Sequence, residues 1–120
     1  MAFPQSSQVF GYNAYCWDNP KIVKEDITSL FKEFKGKFYT VHDIIAGASQ
    51  GGKLAIELSL NGTLAGKGFI AVIPAIQNTD SIKKLLEENT NKIKGCIITG
   101  DQDPFYPQTI RLAKLLEEND

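Results

Sequence analysis

Two short stretches of this 120-residue chain hold residue types that can do chemistry together. The first is Gly47-Ala48-Ser49-Gln50-Gly51-Gly52, a G-x-S-x-G sequence between the apolar run Ile44-Ile45-Ala46 and a segment with helical spacing. In that context the serine sits on a sharp strand-to-helix turn, a nucleophile elbow, which lifts its Oγ above the sheet edge. Such a turn crowds the residues two before and two after the serine, so bulk at Gly47 or Gly51 would collide. Gln50 opens the helix. Its backbone N–H then points toward the place where an oxyanion would form, and the helix dipole adds to the attraction. A phosphate-binding turn is the competing reading, weakened because neither G-x-G-x-x-G nor G-x-x-x-x-G-K-S/T occurs.

The second stretch is Gly100-Asp101-Gln102-Asp103-Pro104, which follows another apolar run. A serine nucleophile works with a histidine base, and an acid orients that base and stabilises its imidazolium form. Asp103 is favoured as the acid, because it lies past a strand end in a turn with Pro104. Asp101 is the rival, with capping or closing the loop as its alternative part. The base itself is missing. His42 is the single histidine, seven residues before Ser49, and extended chain of that length spans roughly 20 Å. That is out of hydrogen-bond reach, so His42 reads as a surface loop residue.

The elements that must position these residues follow from a hydrophobic period that switches back and forth along the chain. Asn19-Pro20 pairs an N-cap residue with proline at the first helical position, and Ile22, Val23, Ile27, Leu30, Phe31 and Phe34 make an apolar stripe up to Gly36. Asp43 to Ala48 reads as a buried strand, Gln50 to Leu60 as a helix closed by Asn61-Gly62, and Gly68 to Ile73 as a strand stopped by Pro74. Asp80 to Asn91 reads as a helix turned inward through Ile82, Leu85 and Leu86. Lys94 to Thr99 is a third strand, and a last helix runs from about Pro107 to Glu118. Alternation of this kind predicts an α/β fold, a parallel sheet with helices on both faces, in a single domain over 1–120.

Composition narrows the function classes. A charged fraction of 22% and a net charge of −1, with no basic stripe, argue against nucleic acid or an anionic membrane surface as the main partner. No apolar run is long enough to span a bilayer, and the start MAFPQSSQ lacks the basic and apolar regions of a signal peptide. Cys16 and Cys96 lie far apart without metal-ligand spacing, which suits a reduced, cytoplasmic chain.

Taken together, Pro4-Gln5-Ser6-Ser7-Gln8, Tyr15-Cys16-Trp17-Asp18-Asn19, the Gly47–Gly52 elbow and Gly100-Asp101-Gln102-Asp103-Pro104 resemble the phospholipase/carboxylesterase-like branch of the α/β-hydrolases. The motifs run in that family's order over nearly the whole chain, and the S-Q-G-G run is the most specific of them. The resemblance implies a serine esterase with Ser49 as nucleophile, Asp103 as acid, the Gln50 N–H as one oxyanion donor, and no metal or cofactor. Dienelactone hydrolases look similar but have cysteine at the nucleophile position, where this chain has Ser49. It further implies that Tyr15 and Trp17 line an acyl pocket, although Trp17 suits a core aromatic equally well. The substrate would be a small-molecule or lipid ester.

The family's histidine and its early strands have no counterpart here. The chain is therefore expected to be the central portion of the fold, with Met1-Ala2-Phe3 as the tail of an earlier strand. It should be inactive alone and prone to self-association through open sheet edges. Two other classes stay open: a non-catalytic ligand-binding module using the Gly47–Gly52 turn, and a small flavodoxin-like domain cradling a phosphate there.

Overall fold

A side-chain amide starts the first long helix. The Asn19 carboxamide oxygen accepts from the backbone N–H groups of Lys21 at 3.0 Å and Ile22 at 3.4 Å, satisfying two donors that a helix N-terminus leaves open. The computed structural model describes residues 1–64, 66, 68–88 and 92–118, and divides into two compact units, 1–42 and 43–120.

In the first unit, β1 (Gln8–Gly11) and β2 (Ala14–Cys16) form an antiparallel hairpin, with Gln8 opposite Cys16 and Val9 opposite Tyr15. Tyr12 and Asn13 make the turn, and Asn13 has φ 50°, which asparagine tolerates better than most residues. Helix α1 (Pro20–Lys37) buries Val23 and Ile27 and leaves Leu30 exposed. Gln8 clasps the helix start, its Oε1 accepting from the Asn19 N–H at 2.7 Å and its Nε2 donating to the Asn19 carbonyl at 3.3 Å. The Ser7 N–H and hydroxyl both donate to Asp26 Oδ2, at 3.0 and 2.7 Å. The hairpin was not anticipated, and Met1 to Ser6 carry no strand where the tail of one was expected.

The second unit holds β3 (Ile44–Ala48), α2 (Gln50–Leu60), β4 (Gly68–Val72), α3 (Asp80–Glu88), β5 (Lys94–Ile98) and α4 (Tyr106–Glu118). The strands form a parallel sheet in the order β3-β4-β5, with Ala48, Val72 and Ile98 level at its C-terminal edge. Every helix expected from the sequence is present, and where its ends fall on described residues they lie within a residue or two of those expected. The last three residues of the expected third helix, 89–91, lie outside the described residues. Asn61 ends α2 and Gly62 follows at φ 74°, the left-handed residue that commonly closes a helix.

The core of this unit joins Ala55, Ile56 and Leu60 of α2, Phe69 and Ala71 of β4, Ile76, Ile82 of α3 and Leu112 of α4. Its strand residues, with Ile45 and Ile97 packed against it, share one pleat of the sheet. The opposite pleat presents Ile44, Ile70 and Ile98, 62%, 37% and 52% exposed. The helices of this unit, α2, α3 and α4, all pack against the first of these faces. The topology explains why: three strands laid down in a single direction with right-handed crossovers return every connecting helix to the same side. Among the described residues, no helix is long and apolar enough to cross a membrane.

Candidate active site

The elbow forms where β3 hands over to α2. Ser49 takes φ 53° and ψ −119°, a region that costs a non-glycine residue about 1–3 kcal/mol. Three backbone hydrogen bonds hold it there. Its N–H donates to the Val72 carbonyl at 3.0 Å, and its own carbonyl accepts from Lys53 at 3.1 Å and Ala75 at 3.0 Å. The serine is exposed, and although it occupies the N-cap position its hydroxyl makes no capping bond. A hydroxyl that serves neither core nor cap is open to a ligand at the carboxyl end of a parallel sheet, where α/β proteins bind their substrates.

The two glycines expected to relieve crowding differ. A Cβ on Gly47 would run into the Gly51 carbonyl and stand 2.9 Å from the Gly52 nitrogen, whereas a Cβ on Gly51 would meet nothing within 4 Å. Only the first is a steric requirement, and the reading of Gly51 as a second one is corrected. Gly52 is the closer fit, since its Cβ would lie 3.1 Å from the Gly47 oxygen and 3.2 Å from Pro74 Cα. Gln50 is the first residue of α2.

Asp103 follows β5 on the same edge. The two strands that lead to Ser49 and to Asp103 are separated only by β4, so they lie about 10 Å apart. An imidazole with a hydrogen bond at each end spans a comparable gap. Asp103 is half-buried and fixed, with Oδ1 accepting from the Phe105 N–H at 2.8 Å. Its N–H donates to Gly100 at 3.1 Å and its carbonyl accepts from Tyr106 at 3.0 Å. These bonds hold the turn. Asp101 is exposed, its Oδ1 accepting from Gln102 Nε2 at 3.4 Å.

The sheet therefore brings Ser49, Gln50 and Asp103 to one edge. His42, which precedes Asp43 and the start of β3 in sequence, is exposed. Tyr15, in β2, and Trp17, just beyond it, belong to the first unit; Tyr15 is 49% exposed and Trp17 half-buried. Two buried polar atoms flank the Asp103 turn in sequence. Thr99 Oγ1 and Gln108 Oε1 have no hydrogen-bond partner among the described residues, and an unmet buried polar atom costs about 1–3 kcal/mol. No sequence pattern marks such atoms.

No protein-family model matches the chain, and no curated relative matches it. Among solved structures it is similar to a crystal structure of an uncharacterized protein from Bacillus cereus ATCC 10987, at a TM-score of 0.83 and 28% identity. The match takes in 98% of this chain and 39% of that protein, so the chain spans about two fifths of its length.

Proposed function

We propose that Ser49 is the nucleophile of a serine hydrolase acting on carboxylic esters. The observation that carries the reading is its backbone: a non-glycine residue held at φ 53° between a parallel strand and a helix, with a hydroxyl that caps nothing. Ser49 Oγ attacks the ester carbonyl and passes its proton to a histidine, which Asp103 orients. The Gln50 N–H is one donor to the tetrahedral oxyanion. The histidine returns the proton to the departing alcohol, and water then releases the acid from the acyl-enzyme by the same steps. His42 does not serve, so in this reading the histidine comes from sequence outside these 120 residues. Its absence leaves the chain alone close to inactive, because losing a triad member costs several powers of ten.

The test is hydrolysis of p-nitrophenyl acetate by the chain together with the coding sequence that flanks it. Ser49→Ala should abolish turnover, and Asp103→Asn should lower kcat by about 10⁴-fold with the fold intact. Turnover that survives Ser49→Ala would refute the assignment. A second reading, a binding module that keeps the elbow without a base, is favoured by one fact: the single histidine of the chain, His42, comes before β3 in sequence while Ser49 comes after it.

A further inference from the structure

Beyond Val72 the sheet continues for one more step before the chain turns away. Ile73 donates its N–H to the Ile98 carbonyl at 2.6 Å, extending the β4–β5 ladder. The hydrogen bonds from Ser49 to Val72 and from Ala75 back to Ser49, both 3.0 Å, bracket Ile73 on the other side. Ile73 is thereby the lateral neighbour of Ser49, about one strand spacing away. Its φ is 39°, a region where a β-branched residue is an outlier. Pro74 behind it is fully buried, and the Gly52 backbone leaves no slack, with Pro74 Cα and Val72 O each 3.2 Å from where a Cβ would stand.

Neither local preference nor core packing accounts for isoleucine at this position. Glycine or asparagine would accept the positive φ with less strain, and a side chain left 41% exposed recovers only part of its burial energy. Strained residues of this kind concentrate where the strain serves a ligand site. We propose that Ile73 is a specificity-determining residue of the Ser49 site, its branched side chain forming an apolar wall beside the nucleophile that selects esters with an apolar group over those with a charged one. The inference rests on the reading of Ser49 as nucleophile.

Two fluorophosphonate probes test it, one with a long alkyl chain and one ending in a carboxylate, each timed at Ser49 in the chain with its flanking coding sequence. Ile73→Asn keeps the left-handed backbone and replaces the wall with a polar group. It should lower the ratio of alkyl to carboxylate labelling rates about tenfold, the scale of one lost apolar contact, while Ile73→Val keeps the ratio. If the asparagine variant does not fold, Ile73→Gly, equally suited to the positive φ, is read in the same way and should lower the ratio too. An unchanged ratio in the folded variant, with Ser49 still labelled, would overturn the role of Ile73 alone. No labelling of Ser49 in the unsubstituted protein by either probe would instead overturn the nucleophile, and this inference with it.

Discussion

A single methyl group should act in opposite directions at two glycines four residues apart. In Gly47→Ala the new Cβ meets the Gly51 carbonyl inside a turn pinned by three hydrogen bonds, and overpacking backbone that cannot retreat costs about 3 kcal/mol. In Gly51→Ala it meets open space in the first turn of α2, where replacing glycine gains about 0.5–1 kcal/mol. Urea midpoints at constant slope measure both, and equal effects would mean that the elbow is looser than described. At this scale the sequence shows what local spacing dictates. Gly47, Ser49 and Asp103 stand out because their turn chemistry needs those residue types in that order. Ile73 does not, because its inverted φ is set by its own hydrogen bond to Ile98 and by those that its neighbours Val72 and Ala75 make with Ser49, and by itself it reads as the end of an apolar strand.

Elements with strong punctuation are the legible ones. Asn19-Pro20 marks the start of α1 and Asn61-Gly62 the end of α2, both where expected. The β1–β2 hairpin escapes notice because its strands are short and the register shifts between Val9 and Gly11, which spoils the period-two signal. What ties that hairpin to α1 makes a testable point. Asp26 is held below its ordinary pKa of 3.8, first by the Ser7 hydroxyl and then by the Ser7 N–H, against a smaller opposing effect of desolvation. The folded value is the lower one, so the tether is fully present above 3.8 and is lost as pH falls below that, through the folded value. In an NMR acid titration the Ser7 amide should therefore follow Asp26 below pH 3.8, and Ser7→Ala should move Asp26 back up. An Asp26 midpoint at or above 3.8 in the unsubstituted chain would contradict the tether.

For the whole molecule, the physical question is what completes the carboxyl edge of the sheet if Ser49 is a nucleophile. The parallel sheet supplies a poised serine and a fixed carboxylate about two strand spacings apart, beside buried Thr99 and Gln108 atoms that lack partners among the described residues. Order of elements made the parallel sheet legible, because alternating periods leave few topologies. That α2, α3 and α4 share one face of the sheet was not, since it depends on the direction in which successive strands are added. The most direct measurement is reaction with a fluorophosphonate, with the labelled residue read by mass spectrometry, for the chain alone and for the chain with the coding sequence that flanks it. Labelling is expected at Ser49 in the longer protein, with none after Ser49→Ala and a rate at least about a thousandfold lower in the chain alone. A folded longer protein that takes no label at Ser49 would contradict it.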